Sequence, residues 1–190
     1  GYVHAQYGFW ADLLRLQTQL MGRYTGEPYI DWVKQAIRAD MPYDQFVTAL
    51  ITAQGPALAA GNGATGFYLR DAGMPQDNMS NTIQVFLGTR VACAQCHNHL
   101  YIDDYMQRDF QGLHAFFQNA YLQDAKNLIV ADRPTLTKLT FISVFNGKKN
   151  ETGPRIPGRK EMEIPALPKG REYVEPTNTH TAPKGEEGRA

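Results

Sequence analysis

The chain has 190 residues, 43% of them hydrophobic, and 19 Lys and Arg balance 19 Asp and Glu, so the formal net charge at pH 7 is +0. This length allows one domain with a core, or a domain with an extended arm. Balanced charge provides no field of one sign to steer nucleic acid or anionic lipid, so we expect no nucleic-acid partner. No apolar run approaches the roughly 20 residues of a membrane span, so we expect no transmembrane segment.

Helical periodicity covers most of the first 122 residues. Apolar side chains recur every three or four positions in five segments, which predicts five helices. The segments are 7 to 21, 28 to 40, 42 to 54, about 79 to 91, and 107 to 122. Between the third and fourth, "GPALAAGNGATG" at 55 to 66 is rich in glycine and predicts a loop. It lacks the GK[ST] ending of a phosphate-binding loop. Residues 136 to 145 alternate as a short strand does.

The composition changes beyond residue 146. Residues 147 to 190 contain one aromatic side chain, Tyr173, and many charges. Such a segment can hardly bury enough apolar area to offset roughly 1 to 2 kcal/mol per residue of backbone ordering. We therefore predict a helical haem-binding domain at 1–125, a connecting segment with a short strand at 126–146, and an extended, irregular arm at 147–190. The predicted fold class is mostly α, and we expect the arm to bind other protein subunits.

Both cysteines of the chain lie in the five residues "CAQCH", at 93 to 97. In a c-type haem site two thiols at this spacing add to the porphyrin vinyl groups, and the histidine after the second cysteine binds the iron. The pattern therefore predicts one covalent haem c, held by thioether bonds to Cys93 and Cys96. His97 is the predicted proximal iron ligand.

Two further histidines are candidates for the same site. His114 lies on the apolar stripe of the last predicted helix, seventeen residues after His97, and is our candidate for the distal iron ligand. The alternative for His114 is a half-buried histidine with a backbone partner. His99 would need a sharp chain reversal to reach the opposite face of a haem. We expect it to hydrogen-bond a propionate or the backbone, with a role as an alternative ligand left open.

Other chemistry remains open for the cysteine segment. Zinc could take Cys93, Cys96 and the two nearby histidines His97 and His99, although four ligands within seven residues strain a tetrahedral site. A redox dithiol is usually found at the start of a helix that follows a strand, whereas the segment before Cys93 is predicted to be helical. A purely structural role is the remaining alternative. The nearby carboxylates form no Ser, His and Asp set, so no hydrolytic site is indicated.

Four stretches resemble a known family. They are "FWADLLR" (9–15), "YIDWVKQAIRADMPYDQFV" (29–47), "ATGFYLR" (64–70) and "TIQVFLGTRVACAQCHNHLYIDDYMQRDFQGLHAFF" (82–117). Over roughly residues 7 to 120 the chain resembles the cytochrome-associated domain of unknown function that is abundant in planctomycetes and their relatives. The resemblance implies an exported, mostly helical domain with a haem-type CxxCH at Cys93, Cys96 and His97. It brings no established reaction.

Pattern and resemblance together predict a c-type cytochrome-like subunit that transfers electrons within an extracytoplasmic complex. We expect a non-enzymatic electron-transfer or structural subunit rather than an enzyme. Its expected location is periplasmic or extracellular, and any association with a membrane would be through partners. The alternative is a structural or assembly subunit of a larger complex, whose CxxCH site is stabilising or binds another metal.

Overall fold

The computed structural model describes residues 1–22, 24–102, 106–133 and 136–164. Its helices are α1 (Tyr2–Leu13), α2 (Glu27–Arg38), α3 (Tyr43–Thr52), α4 (Gly66–Leu69), α5 (Pro75–Leu87) and α6 (Gln107–Phe117). Its strands are β1 (Gln19–Leu20), β2 (Tyr24–Thr25), β3 (Gly55–Pro56), β4 (Ala120–Asp124), β5 (Ile129–Asp132), β6 (Leu139–Ile142) and β7 (Lys149–Thr152). Over these ranges the fold is mixed α and β, rather than mostly α as predicted.

The chain divides into two compact units. The first contains Gly1–Met74 and Ala120–Asp132, and the second contains Pro75–Asn119 and the described residues from Arg133 onward. The described helices are too short or too polar to qualify as membrane spans. Of the segment predicted as an arm, residues 165 to 190 lie outside the described ranges, whereas 147 to 164 include strand β7.

In the first unit, α1 is shorter than the predicted helix at 7 to 21. It ends at Leu13, and Arg15 adopts a left-handed φ of 51° that a helix cannot continue through. Leu20 then lies in β1, paired with Tyr24 of β2, and is 3% exposed. The periodicity failed here because Leu20 reaches the core from a strand rather than from a helix face.

A buried ionic cluster follows α4. Arg70 and Asp71 are each 4% exposed, and the Arg70 Nη2 atom donates to the Asp71 carboxylate at 2.7 Å. Arg15 donates to the other oxygen of Asp71 at 2.6 Å, but its own side chain is 46% exposed. The Arg70 Nη1 atom also donates to the backbone oxygen of Leu14 at 2.9 Å. The cluster therefore fixes the chain just after α1 to the end of α4.

The glycine-rich segment 55–66 is only partly a loop. It begins with β3 and ends in a 3-10 turn, Gly63–Thr65, whose residues are buried. A Cβ atom at Gly63 would overlap the backbone oxygen of Pro28, and one at Gly66 would overlap the Tyr29 side chain. Gly63 and Gly66 are therefore needed for the close approach of this segment to α2. The glycines that predicted a loop are explained in part by this packing.

The first unit is closed by a sheet of order β3-β5-β4. In it Gly55 of β3 pairs with Val130 of β5, and Leu122 of β4 pairs with the same residue from the other side. The apolar residues beneath form one cluster: Leu20, Ala57, Leu69, Ala72, Leu128 and Val130. The sheet therefore ties the segment around β5 to residues more than 70 positions earlier in the sequence.

The second unit has its core between α5, α6 and a 3-10 turn at Ala92–Gln95. Its buried cluster contains Met79, Ile83, Val91, Ala94, Phe110 and Leu113. The predicted α6 ran to residue 122, but the helix ends at Phe117 and the chain enters β4 at Ala120. Tyr121 has helical spacing to Phe117, but it pairs with Ala131 of β5 and lies in a strand.

Residues after β7 pack against α6. The Arg155 backbone N–H donates to the Gly112 oxygen at 3.2 Å, and its Nε lies 3.2 Å from the Asp109 carboxylate. A Cβ atom at Gly112 would overlap the Arg155 side chain. This part of the predicted arm is therefore held by the ion pair with Asp109 and by close packing of the Arg155 side chain against Gly112. A count of apolar residues does not detect such contacts.

Candidate functional site

The two cysteines lie at a short turn, which we call the cysteine turn (residues 92 to 97). Cys93 is within the 3-10 turn Ala92–Gln95 and Cys96 caps it. Side chains three apart in a regular 3-10 helix eclipse each other, so we expect the two thiols on the same side of the turn. Both are free and exposed, whereas Ala94 between them is 2% exposed and belongs to the core. The turn therefore anchors itself through Ala94 and presents two thiols to solvent.

His97 follows Cys96 directly, and one of its ring nitrogens is hydrogen-bonded. Its Nδ1 atom lies 2.6 Å from the backbone oxygen of Asn98. A carbonyl oxygen can only accept, so this contact places the proton on Nδ1 and leaves Nε2 with an unshared electron pair. Metal-binding histidines usually carry this arrangement, because the bond at the second nitrogen fixes the tautomer and the ring orientation. His97 is therefore prepared to bind a metal through Nε2.

His99 has the opposite tautomer. Its Nδ1 atom accepts from the backbone N–H groups of Tyr101 and Ile102, both at 3.2 Å. The neutral ring therefore carries its proton on Nε2, which makes that atom a hydrogen-bond donor in this tautomer, and a role for His99 as an alternative ligand stays a prediction. These two contacts are bonds to the backbone, which is one of the two partners that we expect for His99.

A pair of glutamines on α6 holds the cysteine turn. The Gln107 side-chain nitrogen donates to the Gln95 oxygen at 3.2 Å and to the Ile142 oxygen at 3.1 Å. Gln111, one turn later, donates to the same Gln95 oxygen at 3.2 Å. Gln107 is 4% exposed, so its side-chain amide depends on these bonds rather than on water. The position of the turn is consequently set by α6.

The β6–β7 hairpin, which pairs Leu139–Ile142 with Lys149–Thr152, also reaches the cysteine turn. The Val144 N–H donates to the Cys96 oxygen at 3.2 Å. The Phe145 ring lies 4.8 Å from the His97 ring, centroid to centroid, at an interplanar angle of 46°. Val144 and Phe145 are each 66% exposed. Two exposed apolar residues therefore contact the cysteine turn, Val144 through its backbone and Phe145 through its ring against His97.

The imidazole of His114 is buried on α6 without a hydrogen-bond partner. It is 9% exposed, and neither ring nitrogen has a partner. Burial lowers the pKa of the His114 imidazole below its ordinary value, because the charged form loses its hydration. The backbone partner that we offered as the alternative for its ring is therefore not formed. Its role as a distal ligand stays a prediction.

The four-ligand zinc arrangement is not formed in the part of the chain that the structure describes. Within those ranges no three or more His, Cys, Asp or Glu side chains come close enough to hold a metal ion. Asp109, one of the carboxylates near the motif, is paired with Arg155. Asp103 and Asp104 lie outside the described residues.

The residues do fit a haem attached from one side. The requirements are two accessible thiols three residues apart, a neighbouring imidazole with Nε2 available, and apolar side chains to contact the macrocycle. Cys93 and Cys96 meet the first, His97 the second, and the pair Val144 and Phe145 the third. These residues account for the thioether bonds and for the proximal side of a haem. All of them belong to the second unit.

Comparison with known proteins places the chain in a family. The model of the PSCyt2 family, described as a protein of unknown function (DUF1549), matches residues 1–121. The chain belongs to the PSCyt2 family. No curated protein and no solved structure matches it. The predicted membership of a domain family of unknown function is thereby confirmed, while the planctomycete association stays a prediction. The PSCyt2 match includes the cysteine turn and α6 but ends before β5 and the β6–β7 hairpin.

Sequence reasoning missed several residues of the site. Gln107 and Gln111 are four apart on α6, a spacing that places both on one helix face, yet they were overlooked among apolar neighbours. Asn98 anchors the start of α6 through its side-chain oxygen, which accepts from the Gln107 N–H at 3.0 Å. Phe145 has no local signal, because its partner His97 lies 48 positions earlier in the PSCyt2 chain.

Proposed function

We propose that the chain is a c-type cytochrome-like subunit that carries one covalent haem and transfers single electrons within an extracytoplasmic complex. Cys93 and Cys96 would hold the haem by thioether bonds, and His97 would bind its iron from the proximal side. The observation that carries the proposal is the pair of free, exposed thiols three residues apart on the cysteine turn, followed by an imidazole whose Nδ1 lies at hydrogen-bond distance from the Asn98 oxygen.

In the proposed attachment the two cysteine thiols add to the vinyl groups of the haem, and no redox step is involved. Each thiol forms a sulfur–carbon bond to a vinyl group, and the thiol proton goes to the other vinyl carbon. Both thiols are free in this structure, as that reaction requires. The haem, when bound, supplies the one-electron couple, and the protein tunes its potential through the axial ligand, hydrogen bonds and solvent exposure.

His97 would act by orientation as well as by coordination. Its Nδ1–H donates to the Asn98 oxygen, and this hydrogen bond raises the electron-donating power of Nε2. A stronger donor favours the oxidised iron and lowers the reduction potential. The partly exposed setting of the cysteine turn acts in the same direction, because water stabilises the more highly charged state.

Export follows from the proposed chemistry. Covalent attachment of haem c takes place outside the cytoplasm, so we propose a periplasmic or extracellular location. The partners would be other protein subunits that give or take the electron. The alternative, an assembly subunit whose CxxCH site is stabilising or holds another metal, is the conclusion that a haem-free chain would require.

The test is covalent haem in the full chain, exported in a bacterium that has a c-type attachment system. A denaturing gel stained for haem peroxidase activity should show the band, and its pyridine haemochrome spectrum should be of the c type. Replacing Cys93 and Cys96 by serine should abolish the stain. His97→Ala should keep attached haem but alter its spectrum, whereas His4→Ala, a change at an exposed histidine of α1, should leave both unchanged.

An unstained band from correctly exported wild-type protein would sink the cytochrome proposal. Zinc content and free thiols would then be measured on that sample. Stoichiometric zinc would favour another metal at the cysteine turn, and two free thiols without metal would favour the assembly subunit.

A further inference from the structure

The β6–β7 hairpin lies outside the part of the chain that matches the PSCyt2 family, yet it contacts the centre of the candidate site. We propose that this hairpin is the proximal wall of the haem site, and that Phe145 is a positioning residue for His97. The inference rests on the proposed function. It adds a segment and a residue that neither the CxxCH motif nor the family match contains.

The turn of the hairpin is ordered by its own hydrogen bonds. The Gly147 N–H donates to the Ser143 oxygen at 2.9 Å, and the Lys148 N–H donates to the Asn146 side-chain oxygen at 2.9 Å. Gly147 has a φ of 63°, which glycine adopts without strain. Val144 and Phe145 are therefore presented by a defined turn rather than by an irregular loop.

The hairpin is fixed to the cysteine turn at two points. The Val144 N–H bonds to the Cys96 oxygen, so the backbone of the hairpin meets the backbone of the second cysteine. Gln107 supplies the second point, since its one side-chain nitrogen bonds to both the Gln95 and the Ile142 oxygens. Because Gln107 is buried in α6, its two bonds fix the position of the hairpin relative to the cysteine turn.

Phe145 completes the arrangement by contacting the imidazole. The two rings are 4.8 Å apart at 46°, within the range of favourable aromatic pairs. The Nδ1 bond to Asn98 restrains the His97 ring at one atom, and the Phe145 ring restrains its face. Together they limit the rotation of the imidazole, which determines how well Nε2 can point at a metal.

The exposure of the wall indicates what covers it. Contiguous exposed apolar surface often marks a binding site for a partner or a ligand. Val144 and Phe145 are each two-thirds exposed, and the Val144 backbone bonds to Cys96, whose exposed thiol and that of Cys93 can attach an apolar ring system. A haem bound at Cys93 and Cys96 is the occupant that would cover them.

The test compares Phe145→Leu, which removes the ring, with Phe145→Tyr, which keeps it, in the exported full chain. The control is Ile156→Ala, at another exposed apolar residue of the same unit. The first measurement is the pH at which acid displaces His97 from the iron, followed by absorbance. We expect Phe145→Leu to raise this midpoint by about one pH unit, equal to a tenfold loss of ligand affinity. Phe145→Tyr and Ile156→Ala should match wild type.

A second measurement does not need haem. In the chain with Cys93 and Cys96 replaced by serine, the Phe145 ring should shift the proton resonances of the His97 ring. Phe145→Leu should remove that shift, whereas Ile156→Ala should retain it. Loss of the shift in Phe145→Leu would show the contact in the absence of any bound group.

The outcomes separate the two proposals. Wild-type protein without covalent haem would sink the proposed function and the wall with it. Wild-type protein with haem, combined with an unchanged acid midpoint in Phe145→Leu, would overturn the wall alone. An equal change in Ile156→Ala would overturn it as well, because the effect would then follow from general loss of apolar surface.

Discussion

The side-chain nitrogen of Gln107 donates to the backbone oxygen of Gln95 at 3.2 Å, and this bond joins α6 to the turn that bears both cysteines. Gln107 also bonds to the Ile142 oxygen, and it is 4% exposed. A single buried amide thus carries two of the contacts that hold the site. Its removal would leave two carbonyl oxygens without that donor.

We expect Gln107→Ala to destabilise the second unit by about 1 to 3 kcal/mol, because it removes two hydrogen bonds that contribute about 0.5 to 1.5 kcal/mol each, while Gln111 still donates to the Gln95 oxygen. The measurement is urea unfolding of the variant against wild type. Arg108→Ala is the matched control, because Arg108 is the next residue of α6 and is exposed. A loss of stability in Arg108→Ala as large as in Gln107→Ala would contradict the assigned role.

Gly66 should be intolerant of any side chain. A Cβ atom there would overlap the Tyr29 side chain of α2, whereas a Cβ atom at Gly8, in the middle of α1, would meet nothing within 4 Å. We expect Gly66→Ala to destabilise by about 1 to 3 kcal/mol through overpacking. Gly8→Ala should stabilise by about 0.5 to 1 kcal/mol, because alanine favours a helix interior. Thermal unfolding of both variants checks the opposite signs.

Asp71 should be the most sensitive residue of its ionic cluster. Asp71→Asn would leave Arg70, which is 4% exposed, with a buried charge that has lost its counter-ion. We expect a loss of about 3 to 5 kcal/mol. Arg15→Met removes the partner that is 46% exposed, so its cost should be about 0 to 1 kcal/mol. Similar unfolding midpoints for the two variants in urea would refute this ranking.

His114 should make the haem-free protein sensitive to mild acid. Burial lowers the pKa of His114 in the folded state, so between that pKa and the ordinary value of about 6.5 the unfolded chain binds more protons than the folded chain. Stability is therefore complete above about pH 6.5 and falls as the pH drops toward the folded-state pKa. We expect a lower urea midpoint at pH 5 than at pH 7.5.

The variant His114→Leu identifies the residue responsible. It removes two buried nitrogens that have no partner, so it should be as stable as wild type or more stable at pH 7.5, and less sensitive to acid. His4→Gln is the matched control at an exposed histidine and should keep the wild-type slope. An unchanged pH slope in His114→Leu would assign the acid sensitivity to another group.

Sequence patterns predicted α2 and α3 nearly to the residue, because both helices bury one regular stripe. The amphipathic face of α2, with Tyr29, Val33 and Ile37 buried, is an example. The patterns failed where burial comes from long-range pairing. Leu20 and Tyr121 have helical spacing to their neighbours but lie in strands, because partners elsewhere in the chain complete a sheet.

Of the candidate site, the residues of the CAQCH motif could be predicted from the sequence, whereas the residues that contact the motif could not. Cys93, Cys96 and His97 are contiguous enough for their spacing to carry the chemistry. The groups that orient them are two glutamine side chains of α6, and one backbone hydrogen bond and one ring contact from a hairpin nearly 50 residues away. Such contacts leave no periodicity in the sequence.

The chain leaves the first unit after Met74 and returns to it at Ala120, so residues 75 to 119 are an insertion within that unit. The PSCyt2 match stops at residue 121, inside β4 and before β5. An expression fragment cut there would lack Leu128 and Val130, which are each 2% exposed in the core. It would also leave β3 as an unpaired edge, a known cause of aggregation. A fragment intended to fold should therefore extend at least through Asp132.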